Sequence, residues 1–304
     1  MGALGMATFG SLVRSFERRA FKRTFPLWES LGFQITPCDF EDPVPNLSEL
    51  DEGLWSVEDP LLGLEMNEER QIAFLRKICA RYKPEYDRFG LHEPNGDCPY
   101  FSLNGRFGEV DGDVLHGMIR HARPRRVIEI GSGWSTIVTS HALALNGTEH
   151  GLPGELIAIE PEPAAYLARW DARRVSVLAK KVQEVELALF ESLEANDVLF
   201  IDSSHVVRIG SDVNHEVFQI LPRLKQGVLI HFHDIFFPTD YPRRWVKDLR
   251  IFYNEMYLIR ALLMFNTSYE VVWAGNWMKS KHPELVNRLF RTTASQSLWL
   301  RKTI

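Results

Sequence analysis

One short segment near the middle of the chain constrains its fold more than any other. Residues 127–130 form an apolar run broken only by Glu129, which predicts a buried strand, and they lead through Gly131-Ser132-Gly133 into a helical pattern that begins at Ser135. Glycine lets the backbone turn tightly and approach a ligand closely. The free amides that open a helix can bind a polar or anionic group. This strand, turn and helix therefore predict the nucleotide-binding cradle of an α/β protein.

The sequence after residue 110 alternates between strand and helix patterns. The predicted strands are 126–130, 156–160, 175–178, 198–202, 228–232, 269–273 and 297–301, and the predicted helices are 114–121, 135–145, 164–170, 213–224 and 250–264. Such alternation favours a doubly wound, Rossmann-like α/β sheet. We expect seven strands, with the last one antiparallel at one edge, in a domain that spans residues 111–304.

Two classes of ligand use a glycine turn of this kind. The dinucleotide fingerprint requires a glycine or alanine at a position that Thr136 fills, so that fingerprint fails here. The alternative pattern has an acid two residues before the first glycine, which is the place of Glu129. The next predicted strand ends at Glu160, whose carboxylate can accept hydrogen bonds from both hydroxyls of a ribose. Both ligand classes use such an acid, so Glu160 alone does not discriminate between them.

Three segments in order resemble a known family. Residues 129–136 are similar to motif I of the class I S-adenosylmethionine-dependent methyltransferases, with a serine in place of the usual third glycine. Residues 200–205 and 227–234 resemble a bacterial subgroup whose fourth strand ends Ile-Asp-x-x-His and whose fifth ends His-Asp. The resemblance implies that S-adenosylmethionine is the cofactor. It also implies that Glu160 binds the ribose, that Gln183 contacts the adenine, and that the methionine side is lined by Glu129, Gly131, Ser132, Gly133 and Ser135.

Carboxylates and imidazoles follow the fourth and fifth predicted strands. Asp202 and Asp234 end neighbouring strands, which lie roughly 4.8 Å apart in a sheet, and His205, His231 and His233 are expected at the same edge. Methyl transfer to oxygen requires removal of a proton, and histidine is the usual general base near neutral pH. We therefore expect His205, or next His233, to be the base, with Asp234 beside it. Asp202 is expected to support the amine of the cofactor.

A divalent metal is the alternative for the same carboxylates. Asp202 and Asp234 could share magnesium or manganese, which would lower the pKa of the acceptor. Metal-dependent catechol-type and some sugar O-methyltransferases have an acidic pair after strand five, whereas this chain has His233-Asp234 followed by Ile235. We favour O-methylation of a small molecule through a histidine base. The alternatives are a metal-dependent enzyme similar to the cephalosporin hydroxylases and a non-catalytic cofactor-binding protein that acts through its basic arm.

The first 110 residues are expected to form an arm or lid outside the cradle. Residues 1–38 combine basic and apolar side chains at helical spacing and predict an amphipathic helix. We expect it to pack on the main domain or on a second subunit, and the alternative is a helix that docks on a membrane surface or a partner. Residues 39–69 are acidic, contain no Lys or Arg, and have prolines that argue against a long helix. A helix is predicted over residues 67–82.

The composition limits the kinds of binding partner and the cellular compartment that we expect. The formal net charge of -5 gives no general attraction to nucleic acid, and no apolar run approaches the roughly 20 residues that span a bilayer. The three cysteines, Cys38, Cys79 and Cys98, are widely spaced and suggest neither a disulfide framework nor a zinc site. We therefore expect a cytoplasmic homo-oligomer that acts on a small molecule, without nucleic-acid or membrane partners.

Overall fold

A mixed sheet of seven strands organises the chain in the order β3-β2-β1-β4-β5-β7-β6. The computed structural model describes residues 21–35, 41–96, 98–151, 153–163 and 175–304. The strands are β1 (Arg126–Ile130), β2 (Glu155–Ile159), β3 (Val175–Leu178), β4 (Val198–Ile201), β5 (Leu229–Phe232), β6 (Tyr269–Ala274) and β7 (Leu298–Lys302). Strands β1 to β5 pair in parallel, and β7 is antiparallel to both β5 and β6. The predicted Rossmann-like sheet of seven strands with an antiparallel last strand is confirmed.

The middle strands are apolar because both of their faces are covered. Every residue of β4 and β5 is buried, as is every residue of β1 after Arg126. The chain runs outward from β1 to β3 and then returns to β4 on the other side of β1. This reversal leaves a crevice at the carboxyl ends of β1 and β4, which is where ligands bind in such sheets.

Backbone hydrogen bonds extend the parallel strands past their ends. The amide of Asp202 donates to the oxygen of Ile130 at 2.9 Å, and the amide of His233 donates to that of Ile201 at 3.0 Å. The amide of Gly131 donates to the backbone oxygen of Ile159 at 2.9 Å. The residues that follow β1, β4 and β5 are thereby held side by side at one edge of the sheet.

Helices cover the sheet and connect its strands. They are α1 (Glu68–Phe74), α2 (Ala80–Tyr86), α3 (Val110–Ala122), α4 (Trp134–His150), α5 (Leu187–Glu191), α6 (Asp212–His215), α7 (Glu255–Leu263), α8 (Gly275–Lys281) and α9 (Pro283–Leu289). Turns of π-helix occupy Leu75–Cys79, Glu216–Ile220 and Arg244–Asp248, and turns of 3-10 helix occupy Glu52–Ser56, Val182–Glu184 and Leu221–Arg223. None of the helices within the described ranges is long and apolar enough to cross a membrane.

Two predicted helices differ from the structure. The helix predicted from residue 67 is present, but it continues through the π turn and α2 to Tyr86. The helix predicted over 250–264 begins only at Glu255, because Arg250 has a left-handed φ of 61° and residues 251–254 are irregular. The predicted helix at 164–170 lies outside the described residues. The same holds for residues 1–20 and 36–38 of the predicted basic helix, of which residues 21–30 are seen to be helical.

The segment before residue 110 packs directly on the sheet. The ring of Phe74 lies 5.8 Å from that of Trp273 in β6, and Gln71 accepts a hydrogen bond of 2.8 Å from the amide of Ala274. The ring of Tyr86 stacks on Phe290 at 5.9 Å. Residues 61–110 therefore share one apolar core with the sheet. A domain boundary at residue 110 stays a prediction.

Candidate active site

A cavity of about 1080 Å³ opens at the carboxyl edge of β1, β4 and β5. It is lined by the loop before α3, the glycine turn after β1, the residues after β4 and β5, and the segment before α7. Its wall consists of Ser102, Leu103, Gly105, Arg106, Phe107, Gly108, Glu109, Asp111, Gly131, Ser132, Gly133, Trp134, Ser135, Glu160, Glu162, Asp202, Ser203, His205, His233, Asp234, Arg244, Trp245, Leu249, Ile251, Tyr253, Ala294 and Gln296. Nearly all the predicted site residues thus meet in one cavity.

The glycine turn has the backbone geometry that its sequence indicated. Gly131 has a φ of 90°, and a Cβ at this position would lie 2.2 Å from the backbone oxygen of Asp202. The amide of Gly133 donates to Oγ1 of Thr136 at 2.8 Å and so closes the first turn of α4. Thr136 is also the residue that stands where a dinucleotide fingerprint requires glycine or alanine. The result is an open backbone cradle next to the end of β4.

Glu129 lies directly beneath this cradle. Its carboxylate is 1 % exposed and accepts a hydrogen bond from Oγ of Ser135. The other oxygen, Oε2, has no hydrogen-bond partner among the described residues. Burial raises the pKa of Glu129 to about 8. A buried carboxylate with one unsatisfied oxygen is costly unless a donor or a cation reaches it.

The two residues predicted for the nucleoside end have different positions. Glu160 lines the cavity, and one of its carboxylate oxygens accepts a hydrogen bond of 2.9 Å from the amide of Glu162. Gln183 is exposed in the 3-10 turn after β3, where it donates to the oxygen of Gly210 at 3.1 Å. Gln183 is not among the described residues that line the cavity.

Two histidines and two aspartates form a close cluster at the far side of the cavity. Nε2 of His205 lies 3.1 Å from Oδ1 of Asp202 and 3.4 Å from Oδ2 of Asp234. Nδ1 of His233 lies 3.5 Å from Oδ1 of Asp202 and 3.4 Å from Oδ1 of Asp234. Both imidazoles are buried, and the Asp202 side chain is 29 % exposed toward solvent. We refer to these four side chains as the His–Asp cluster.

Two further carboxylates contact the histidines of the His–Asp cluster, and neither was predicted from the sequence. Oε2 of Glu255 lies 2.8 Å from Nδ1 of His205, and Oδ2 of Asp111 lies 3.5 Å from Nε2 of His233. Asp111 and Glu255 lie in the first turns of α3 and α7, far from the strand ends in sequence. No local pattern distinguishes these acids from ordinary residues of a helix N-terminus, where negative charge is common.

The cluster has strongly perturbed proton equilibria. Burial disfavours the charged form of His205, but hydrogen bonds to Asp202 and Glu255 outweigh it and raise its pKa to about 10. Burial also disfavours the charged form of His233, but the charges of Asp234 and Asp202 outweigh it and raise its pKa well above the usual value. Burial opposes ionisation of Asp202, yet the neighbouring histidines lower its pKa. Burial raises the pKa of both Asp234 and Glu255.

His231 does not belong to the cavity wall, contrary to its predicted place at the same edge. Its ring is fully buried inside the sheet, stacks on Phe200 at a centroid distance of 3.9 Å, and bonds through Nε2 to Oγ of Ser297 at 2.8 Å. Burial lowers its pKa well below the usual value. His231 is therefore a core residue of β5.

A metal shared by Asp202 and Asp234 stays a prediction. Among the described residues, no three or more His, Cys, Asp and Glu side chains form a group that could hold a metal ion. Asp202 and Asp234 are paired with the nitrogens of His205 and His233.

Comparisons with known proteins identify a related domain and a related protein. Residues 128–235, which contain both the glycine turn and the His–Asp cluster, match a family described as a methyltransferase domain. An uncharacterized protein of Archaeoglobus fulgidus is 34% identical over 173 residues, which cover 55% of this chain and 76% of that protein. The chain therefore belongs to the same family as the archaeal protein, and residues 128–235 are similar to a methyltransferase domain.

Several solved structures share a general similarity with the chain. The apo structure of CmcI is 14% identical, with a TM-score of 0.38 and coverage of 73% of this chain and 84% of that chain. A complex of CmcI with magnesium and S-adenosylmethionine is 15% identical, with a TM-score of 0.36 and the same coverage. The plantazolicin methyltransferase BpumL, bound to a monoazolic desmethylPZN analog and S-adenosylhomocysteine, is 12% identical, with a TM-score of 0.36 and coverage of 62% of this chain and 82% of that chain.

Proposed function

We propose that this protein is an S-adenosylmethionine-dependent methyltransferase that methylates an oxygen of a small molecule, with His205 as the general base. The observation that carries the proposal is the position of the buried, half-satisfied carboxylate of Glu129 beneath an open glycine turn. That turn shares one cavity with an imidazole–carboxylate cluster inside a methyltransferase domain.

The residues of the cradle suit the methionine end of this cofactor. Oε2 of Glu129 needs a hydrogen-bond donor, and an ammonium group would supply both a hydrogen bond and a compensating positive charge. Gly131 and Gly133 leave the backbone open for close approach. Glu160 offers a carboxylate to the ribose at the end of β2, although one of its oxygens already accepts from Glu162.

The charge balance of the cluster also favours a cationic cofactor. Asp111, Asp202, Asp234 and Glu255 surround only two imidazoles, His205 and His233. Carboxylates in excess of imidazolium ions attract positive charge at short range, more strongly in a buried site than in water. S-adenosylmethionine, when bound, supplies a methyl group on a positively charged sulfur.

His205 is the side chain best placed to take the proton of an acceptor hydroxyl. In the free protein its raised pKa keeps the ring protonated at neutral pH, so it cannot act as a base in that state. A positive charge brought close to the ring favours loss of this proton, because like charges lower the pKa of an imidazolium. With the cofactor bound, Nε2 would accept the hydroxyl proton while the acceptor oxygen takes the methyl group, whose bond to the cofactor sulfur breaks and leaves its electron pair on that sulfur.

The remaining wall of the cavity is expected to bind the acceptor. Tyr253 places its ring 4.7 Å from that of His205, and Trp245 packs against Tyr253 at 5.8 Å. Arg106 and Arg244 add positive charge to the same wall. The cavity of about 1080 Å³ is at the upper end of the range of roughly 300–1,000 Å³ common for small-molecule sites, so a cofactor and a small acceptor can both be accommodated.

Calorimetry with S-adenosylhomocysteine tests the cofactor assignment. We expect the wild-type protein to bind it in preference to NAD, and Glu160→Ala to weaken binding by about 1.5–3 kcal/mol through the loss of charge-assisted hydrogen bonds. Gln183→Ala serves as the control, because Gln183 lies outside the cavity wall, and it should bind almost normally. Transfer of a labelled methyl group to hydroxyl compounds then tests the reaction. Preference for NAD would overturn the assignment.

A further inference from the structure

Asn254 and Glu255, at the start of α7, hold His205 in place through both backbone and side-chain hydrogen bonds. The amides of Asn254 and Glu255 donate to the oxygen of His205 at 3.1 and 3.2 Å. Oδ1 of Asn254 accepts a hydrogen bond from the amide of Val207, two residues further along the loop. Oε2 of Glu255 pairs with Nδ1 of His205 at 2.8 Å. The loop that carries His205 is therefore held from a helix 50 residues away.

Glu255 lies behind His205 as seen from the cavity. Its side chain is 1 % exposed and is absent from the described residues of the cavity wall, whereas His205 is one of them. Glu255 therefore cannot touch the acceptor and can act only through the imidazole. An acid at a helix N-terminus is stabilising by itself, but that role does not require its carboxylate to turn back onto a ring nitrogen.

His233 is oriented less firmly than His205. Its ring nitrogens lie between 3.4 and 3.5 Å from carboxylates, which is longer than the 2.8 Å bond of His205. Its partner Asp111 already accepts hydrogen bonds from Oγ of Ser295 and from the amide of Gln296. Only His205 combines a short bond on Nδ1 with an Nε2 that faces the cavity carboxylates.

We infer that Glu255 is the positioning residue of the catalytic histidine. It holds the proton on Nδ1 of His205, so that Nε2 is the atom presented to the acceptor, and this arrangement assigns the role of base to His205 rather than His233. The groups that face the ring are Glu255 on Nδ1, Asp202 and Asp234 on Nε2, and the Tyr253 ring on one side. The inference rests on the proposed methyltransferase function.

Nitrogen-15 NMR of histidine-labelled protein tests the assignment without turnover. As the pH rises, His205 of the wild type should lose the proton on Nε2 and keep the one on Nδ1. In Glu255→Gln, the side-chain amide can donate to Nδ1, so a substantial fraction of neutral His205 should carry its proton on Nε2. A wild-type protein that releases the Nδ1 proton first would overturn the inference, even if no methyl transfer is found.

Turnover provides the second test. Glu255→Gln should lower kcat by about 10²-fold while the KM of the acceptor and the affinity for S-adenosylhomocysteine change little. A double variant with His205→Ala should be no slower than His205→Ala alone, because Glu255 acts only through that ring. Additive losses, or normal turnover by Glu255→Gln, would overturn the inference.

The chain contains a second His–Glu pair that serves as a control. Glu85, which is 28 % exposed and also pairs with Arg120, bonds to Nε2 of the buried His116 at 2.7 Å, away from the cavity wall. Glu85→Gln should reduce thermal stability and leave kcat unchanged. If the wild type binds no S-adenosylhomocysteine, the proposed function fails, whereas the NMR result still decides the role of Glu255.

Discussion

At the scale of single residues, two members of the site hold a backbone conformation that is rare outside glycine. His205 has a φ of 59° and Asp234 a φ of 56°. Such a conformation costs on the order of 1 kcal/mol at each residue, so the surrounding contacts must hold it in place. For His205 these contacts are the two amides of α7, and after Asp234 the amide of Ile235 donates to Gln296 at 2.8 Å. Local strain of this kind is expected where the position of a side chain matters for function.

The raised pKa of His205 predicts an alkaline rate profile. A base must be deprotonated, so kcat/KM for S-adenosylmethionine, which reports on the free enzyme, should rise with pH toward about 10 and not level off near 6–7. The profile of kcat should rise at lower pH, because the bound sulfonium favours neutral His205. His205→Ala should lower kcat by about 10²–10⁴-fold with little change in cofactor affinity. Initial rates between pH 6 and 10 would check each point.

The same assay distinguishes the histidine base from a metal. Turnover through His205 should be indifferent to EDTA, because a histidine base requires no metal ion. Turnover that EDTA abolishes and magnesium or manganese restores, together with full activity of both His205→Ala and His233→Ala, would instead make Asp202 and Asp234 metal ligands.

At the scale of elements, the turn between β1 and α4 joins the cofactor side of the cavity to the His–Asp cluster. Gly131 of that turn packs against the backbone of Asp202, which begins the segment leading to His205. A change in the turn therefore displaces both the cradle and the end of β4.

Gly131→Ala is expected to lower the free energy of unfolding by about 2–4 kcal/mol and to abolish cofactor binding. The new Cβ would combine the strain of a left-handed φ with a clash against the Asp202 oxygen. Gly210→Ala is the matched control, because Gly210 has a φ of 73° but nothing within 4 Å of a Cβ, and it should cost about 1 kcal/mol. Urea denaturation measures both variants. Equal losses would mean that the Asp202 contact is unimportant.

At the scale of the whole molecule, the described part of the N-terminal arm exposes apolar side chains. Leu27, Leu31 and Phe33 are each more than half exposed along residues 21–35. A large exposed apolar surface usually marks an interaction site. That the arm packs on a second subunit stays a prediction.

Deletion of residues 1–38 should change the oligomeric state or the solubility more than the affinity for S-adenosylhomocysteine, because the cavity wall contains no described residue before Ser102. Light scattering and calorimetry on the truncated protein would measure the two effects. A full-length variant with Leu27→Ser, Leu31→Ser and Phe33→Ser is the control, and it should reproduce the change in oligomeric state. If scattering is unchanged while binding to lipid vesicles falls, the arm instead binds membranes.

The sequence by itself determined the order of the strands, the glycine turn and the four residues of the His–Asp cluster. Strand and helix periods are local properties, and the requirement for glycine at 131 follows from a tight turn between them. Because parallel strands end at the same edge of a sheet, the positions of Asp202 and Asp234 after β4 and β5 already implied that they meet.

Only the tertiary structure decided which side chains surround the imidazoles. Glu255 and Asp111 contact the imidazoles from the starts of two helices. His231 lies in the core, where it stacks on Phe200 and bonds to Ser297. The start of α7 depends likewise on the contact of its first amides with His205. Such contacts join residues that are distant in the chain, and no local periodicity or turn chemistry encodes them. The physical reason is that the proton equilibria of this site depend on burial and on distant partners, which exist only once the chain has folded.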